Sequence, residues 1–240
     1  MNNVIVKTES LSKSFGTITA LNNVSFTIEE GETVGLVGPN GAGKTTLMKM
    51  LCGALHPTSG KCTLLGRSPD RLDHPGSRLG FALDPPGVPG TMSVSEWLTL
   101  ECRAQHLPSR SVTTILEDFD LEKLASHRFG KLSLGQRQRV ALAAACVGNP
   151  AFLILDEPTN GLDVQAVQWL RAMVKQRGAN GQTTLISSHN LAELGKETSR
   201  IIVLRTGVRF DGFGLLDDYD HAEERYLELI GADEQEGERS

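Results

Sequence analysis

Short apolar runs alternate with amphipathic stretches along the chain, a rhythm that predicts strands and helices laid down in turn. Nine runs read as strands: Val4–Lys7, Val24–Ile28, Thr33–Val37, Lys61–Leu65, Leu79–Leu83, Phe152–Leu155, Thr183–Ser187, Ile201–Leu204 and Val208–Asp211. Phe152-Leu153-Ile154-Leu155 and Thr184-Leu185-Ile186 are apolar or nearly so, as strands buried on both faces of a parallel sheet are. Val24-Ser25-Phe26-Thr27-Ile28 alternates instead, which predicts a half-buried antiparallel strand.

From Ser93 to Gly148 the pattern is mostly helical. Ser93-Val94-Ser95-Glu96 has the spacing of a capping box and opens a helix through Trp97, Leu98 and Leu100 that ends near Pro108. Before it, Asp84-Pro85-Pro86-Gly87-Val88-Pro89-Gly90 is too rich in proline and glycine for regular structure. The expected plan is an α/β core with a mixed sheet and an antiparallel β edge, interrupted by a helical lobe. Residues 1–84 form the first part of the core, 85–148 the lobe and 149–211 the second part. Residues 212–240 hold a C-terminal helix over Tyr219–Ile230, with Tyr226, Leu227 and Ile230 on its apolar side, and an acidic tail whose last ten residues are expected to be disordered.

Composition narrows the possibilities. Of 240 residues, 39% are hydrophobic and 22% charged, ordinary for a globular protein and enough to bury a core without disulfides. The apolar run through Ala141–Val147, like every other in the chain, is far below the roughly 20 residues of a membrane span. The first ten residues have neither the charged start nor the apolar stretch of a secretory leader, so none is expected. Net charge is −5, and Asp217–Ser240 carries ten acidic and two basic residues, so the remainder is only mildly basic. That charge distribution argues against a nucleic-acid partner. Cys52, Cys62, Cys102 and Cys146 lie far apart, a spacing that fits a reducing cytoplasm better than a zinc site or a disulfide framework.

The chemistry lies in three motifs. Gly38-Pro39-Asn40-Gly41-Ala42-Gly43-Lys44-Thr45 fits the phosphate loop Gly-x-x-x-x-Gly-Lys-Thr, between a strand and a helix through Leu47, Met50 and Leu51. Glycines let backbone N–H groups turn towards phosphate oxygens, and the helix start adds partial positive charge. Lys44 is expected on the β- and γ-phosphates of a nucleotide, with Thr46 beside it and the Thr45 hydroxyl on Mg²⁺. In the second motif the apolar strand Phe152–Leu155 ends in Asp156 and Glu157. Buried acids need a cation or donors, so Asp156 is expected to hold the metal and Glu157 to act as base toward the attacking water. The third is Leu132-Ser133-Leu134-Gly135-Gln136-Arg137-Gln138-Arg139, where Ser133 and Gln136 also fit a capping box.

With this third motif the chain resembles the nucleotide-binding subunits of ABC transporters. The order carries the resemblance: phosphate loop, helical insert, Leu-Ser-x-Gly-Gln signature, then the Asp-Glu strand about twenty residues later. Asn160-Gly161-Leu162-Asp163 resembles the family's D-loop, Ser188-His189 its switch histidine, and Phe15 before Gly16 the aromatic that stacks on adenine. The likeness spans residues 4–211. It implies a P-loop NTPase core, ATP and Mg²⁺ as ligands, and His189 as a γ-phosphate sensor. Ser133, Gly135, Gln136 and Asp163 would then face the nucleotide of an opposed subunit. It also implies a homodimer or heterodimer in the ATP state, and a separate transmembrane permease. The protein would sit in the cytoplasm, peripheral on the inner face of the membrane without inserting.

Two positions depart from the family pattern. Leu134 replaces the usual glycine of the signature, and Asp84 falls where the family has glutamine, adding a charge near the metal. The signature, the loop after Asp84 and Tyr226-Leu227-Glu228-Leu229 resemble ABC-2 and bacitracin-resistance exporters, which implies efflux of a drug-like or peptide antibiotic. The other classes considered are a non-transport ABC ATPase of translation or DNA repair, a small-molecule kinase, and a slow regulatory nucleotide-binding module. The short helical lobe, the signature, and Glu157 with His189 speak against each in turn.

Overall fold

The computed structural model describes residues 3–72, 78–83, 87–107, 110–194, 198–204 and 210–213, together with residue 226. Two sheets organise these residues. Strands β1 (Val4–Phe15), β2 (Ile18–Glu29) and β4 (Ser59–Leu64) form an antiparallel sheet in the order β2-β1-β4. Strands β3 (Thr33–Val37), β5 (Leu79–Ala82), β6 (Phe152–Leu155), β7 (Thr183–Ser188), β8 (Arg200–Leu204) and β9 (Phe210–Phe213) form the second, in the order β5-β6-β7-β3-β8-β9. All its pairings are parallel except β8 with β9.

Side chains alternate across this sheet, and both faces are buried. Leu153, Leu155, Val37, Ile201 and Val203 join one hydrophobic cluster with the helical segment. Phe152, Ile154, Leu36, Ile202 and Leu204 join a second cluster with β1, β2, β4 and helix α1 (Lys44–Leu51). The unbroken apolar runs of the sequence are thus the central strands. The alternating run Val24–Ile28 lies in antiparallel β2, with Val24 and Ile28 buried and Ser25 exposed.

Several boundaries differ from expectation for local reasons. β1 and β2 are each 12 residues long, far beyond Val4–Lys7 and Val24–Ile28. Polar residues break the alternation there, but the backbone ladder continues through irregularities where Ser10 and Asn23 take positive φ values of 49° and 54°. Hydroxyls close these breaks: Ser10 N donates to Ser25 Oγ at 2.8 Å, and Asn23 N to Ser12 Oγ at 2.9 Å. Among the described residues the last strand covers Phe210–Phe213 and so runs past the expected end at Asp211, its antiparallel register opposing Phe210 to Leu204 and Phe213 to Ile201. Val208 and Arg209 lie outside the described residues, as do Asp84, the acidic tail and the expected C-terminal helix apart from Tyr226. That residue is helical and packs against the first cluster.

Between β5 and β6 stand helices α2 (Val94–Ala104), α3 (Arg110–Asp118) and α4 (Leu134–Cys146). Helix α2 opens with the expected capping box: Ser93 Oγ accepts from Glu96 N at 3.2 Å, and Ser93 N donates to Glu96 Oε2 at 2.7 Å. It stops before Pro108 because His106 adopts φ 58°, with His106 N bonded to Arg103 O at 3.0 Å and Leu107 N to Cys102 O at 2.8 Å. After β6 come α5 (Val164–Ala179) and the single turn α6 (Leu191–Leu194). Buried Arg177 ties α5 to the sheet, donating from Nη2 to the Pro150 carbonyl at 2.8 Å.

Helix α4 lies so close to β5 that a Cβ built on Gly80 would fall 2.0 Å from the Ala145 carbonyl oxygen. Gly80→Ala should therefore destabilise the fold by about 3 kcal/mol. At this chain length that is a Tm drop of roughly 6–12 °C in thermal melts. Gly87→Ala, where nothing lies within 4 Å, should leave Tm unchanged.

Candidate functional site

Strand order brings distant segments to one sheet edge. β6, β7 and β3 are neighbours, and their carboxyl ends stand level, with Leu155 opposite Ile186 and Val37 opposite Ser188. The residues that follow are Asp156 and Glu157 from β6, His189 from β7, and the loop 38–43 from β3. Such a carboxyl edge, where the chain crosses between strands, is where α/β sheets hold ligands.

The loop is shaped by its glycines. A Cβ on Gly38 would meet the Leu204 carbonyl oxygen at 2.2 Å. Gly43, at φ 97°, presses against β2, where a Cβ would meet the Ala20 carbonyl oxygen at 2.5 Å. The β1–β2 hairpin thus packs on the loop, and its turn carries Phe15, half exposed, with Lys13 Nζ 5.2 Å from the ring centre. Helix α1 starts without a side-chain cap. Among the described residues, nothing accepts from the N–H groups of Gly41, Gly43, Lys44, Thr45 and Thr46. Uncapped donors converging at a helix start fit an anion with several oxygens.

Lys44 is only 5% exposed. Its ammonium donates to the carbonyls of Gly38 at 2.7 Å and Pro39 at 3.3 Å, and Glu157 Oε1 lies 3.5 Å away. Thr45 Oγ1 donates to Asp156 Oδ2 at 2.6 Å, so a hydroxyl and a carboxylate stand together beside the loop. That oxygen pair suits a hard cation such as Mg²⁺, which takes few protein ligands and completes its shell with water and phosphate. Among the described residues no group of three or more His, Cys, Asp or Glu could hold a metal.

Glu157 is held in an unusual backbone conformation, φ 44°, which costs a residue with a side chain on the order of 1–3 kcal/mol. Its N–H donates to Ser187 Oγ at 2.8 Å, and the same hydroxyl donates to Asp156 Oδ1 at 2.5 Å. Its carboxylate accepts from Asn160 Nδ2 at 2.8 Å and meets His189 Nδ1 at 3.2 Å. Partial burial pushes its pKa up, but the hydrogen bonds from Asn160 and His189 and the charge of Lys44 outweigh that and hold it below the ordinary 4.5. The sequence reading gave neither Ser187 nor Asn160 a role toward Glu157, although Asn160 opens the motif that resembles the D-loop. The signals at hand were the hydroxyls ending an apolar strand and the amide three residues after Glu157.

The remaining candidates sit elsewhere. Ser133 caps α4, its Oγ accepting from Gln136 N at 3.2 Å while Gln136 Oε1 accepts from Ser133 N at 2.9 Å. Asp163 caps α5 in the same way, accepting from Ala166 N at 2.8 Å. Ser133, Gly135, Gln136 and Asp163 line a cleft of about 640 Å³. A different cavity, of about 280 Å³, holds Thr45, Asp156 and Glu157. Among the described residues only Leu134 lines both, packed so tightly on the loop after Glu157 that a Cβ on Gly161 would lie 2.7 Å from its Cδ2.

Comparison with known proteins bears on the family and the fold. The family profile described as "ABC transporter" matches residues 21–160. The Nod factor export ATP-binding protein I of Burkholderia lata is 37% identical over 203 residues, 82% of this chain and 67% of that protein. The lantibiotic transport ATP-binding protein SrtF of Streptococcus pyogenes is 35% identical over 190 residues, 79% of this chain and 82% of that protein. The dimeric structure of MJ0796, a bacterial ABC transporter cassette, superposes with TM-score 0.82 at 25% identity, covering 89% of this chain and all of that one.

Asn160→Ala removes one of the bonds that lower the Glu157 pKa, so this carboxyl should titrate at higher pH in carboxyl ¹³C NMR of the ligand-free protein. A depressed carboxyl stabilises the fold above its unfolded value of 4.5 and loses that contribution as pH falls through the folded one. The variant should accordingly show less of this acid-side loss.

Proposed function

The chain belongs to the ABC transporter family, and from that premise we propose that it is the subunit that binds and hydrolyses ATP to drive export through a separate permease. The observation that carries this reading is the convergence of the phosphate loop, Asp156, Glu157 and His189 on one sheet edge. The names of the Nod factor and lantibiotic relatives support export, and an antibiotic-like or peptide cargo is the class proposed here.

Each residue has a role that its surroundings allow. The N–H groups of the loop 38–43 and of Lys44, Thr45 and Thr46 receive the phosphate oxygens. Phe15 offers an open ring face to the adenine. Thr45 and Asp156 hold Mg²⁺, which when bound draws charge from the β- and γ-phosphates. The Lys44 ammonium exchanges Glu157 for the γ-phosphate, and the released carboxylate turns to the attacking water. The water oxygen bonds to the γ-phosphorus, its proton passes to Glu157, and the bond to the β-phosphate oxygen breaks, leaving ADP and phosphate. His189 orients Glu157 and meets the γ-phosphate.

Ser133, Gly135, Gln136 and Asp163 take part in the site of a second copy. The cleft they line is separate from the cavity beside Thr45, so one chain presents two half-sites. Two copies, paired head to tail, close over two nucleotides and reopen when the bridging phosphates are cleaved. Among the described residues no helix is long and apolar enough to cross a membrane, so the membrane path is assigned to a partner at whose inner face this subunit docks.

Glu157→Gln should retain nucleotide without cleaving it. In size-exclusion chromatography with light scattering it should run as a dimer with ATP and Mg²⁺ and as a monomer with ADP. A monomer in both conditions would contradict the head-to-tail closure.

A further inference from the structure

The cavity beside Thr45 has a second wall that the roles above leave unused. Its lining combines Thr45, Ala82, Asp156, Glu157 and Asn160 from the sheet edge and the segments beside it with Leu134, Gln138 and Ala141 of helix α4. These three helix positions follow a spacing of four and three residues, so they share one face of α4. Leu134 and Ala141 are apolar, which leaves Gln138 as the one polar side chain that α4 contributes to this lining. Its neighbours on the helix are engaged: Gln136 in the capping box, Arg137 on the Leu132 carbonyl at 3.1 Å, Arg139 on Asp120 at 3.3 Å. The Gln138 amide has no hydrogen-bond partner among the described residues and is only partly exposed.

An amide both donates and accepts, and it keeps that capacity at every working pH. Placed across a small cavity from a base and from the oxygens that suit a metal, it complements what they lack. Glu157 and Asp156 can only accept when ionised, and the Thr45 hydroxyl uses its one hydrogen bond as a donor on Asp156. The Asn160 amide on that side is already engaged, its Nδ2 donating to Glu157, so a water between these walls finds acceptors on one side and the unengaged Gln138 amide on the other. We propose that Gln138 is a positioning residue for hydrolysis, holding the attacking water in line with Glu157. This inference rests on the function proposed above and extends it. Helix α4 would present Ser133 to the neighbouring copy's nucleotide and Gln138 to its own.

The test is single-turnover hydrolysis of ATP by an excess of the 240-residue chain, alongside calorimetric Mg·ATP affinity and thermal melts, for wild type, Gln138→Ala, Gln138→Glu and Glu157→Gln. Misplacing the water should slow Gln138→Ala by about tenfold to a hundredfold. Affinity and Tm should stay at wild-type values, because the amide binds neither the protein nor the phosphates. Gln138→Glu keeps the length but loses the donor and should also be slow. Gln138→Ala hydrolysing at the wild-type rate would overturn the proposal, as would a loss of rate matched by a loss of affinity or of Tm. If Gln138→Ala is unimpaired while Glu157→Gln is inert, only the role of Gln138 fails. A Glu157→Gln variant as fast as wild type would overturn both this inference and the site it extends.

Discussion

A buried ammonium governs the site. Lys44 is almost fully enclosed, and an enclosed charge is costly unless oxygens surround it. The Gly38 and Pro39 carbonyls and the Glu157 carboxylate supply them. The loop must curl tightly for its carbonyls to reach, which is why Gly38 and Gly43 sit against backbone oxygens of β8 and β2 with no room for a Cβ. Glu157 must lean inward from the end of β6, and it does so through a left-handed backbone pinned by Ser187 and Asn160. The proposed chemistry turns on the same ion pair. A phosphate that takes Lys44 frees Glu157, so the group that neutralises the empty site becomes the base of the loaded one.

The second organising element is α4. Its apolar residues join the cluster on one sheet face, and the close approach of Ala145 to Gly80 fixes it against β5. Because α4 is seated on the sheet, its capped start and its cavity-facing side keep a set relation to the strand that ends in Asp156. Leu134 belongs to both cavities and presses on Gly161, so the bulky residue at the signature ties the helix start to the loop between Glu157 and α5. A side chain placed there stiffens a junction that a glycine would leave loose.

Much of the fold was legible because its signals are local. The apolar runs Phe152–Leu155 and Thr33–Val37 have the bounds expected of them, and the caps at Ser93 and Ser133 follow from residues three positions apart. Long antiparallel β1 and β2 were less visible, since polar stretches there are held by pairing with other strands rather than by burial. The site divides in the same way. Lys44, Thr45, Asp156 and Glu157 lie in contiguous motifs whose spacing carries their chemistry. Ser187 lies in no such motif, and Asn160 and Gln138 lie in motifs whose spacing gives them no role beside Glu157, because their importance comes from strand order and from a helix facing the sheet edge across a cavity. Asp163 carries a helix cap as well as its proposed role toward a second copy, and only the structure shows the cap engaged.

The central claim is that the enclosed Lys44 ammonium exists to receive a triphosphate. Isothermal titration of the folded, ligand-free chain with Mg·ATP measures this directly, with Lys44→Ala as its companion. Saturable binding of one nucleotide per chain, lost or greatly weakened in Lys44→Ala while the melting profile persists, is the predicted result. No heat of binding in the folded wild-type chain, or equal affinity in the two proteins, would contradict it.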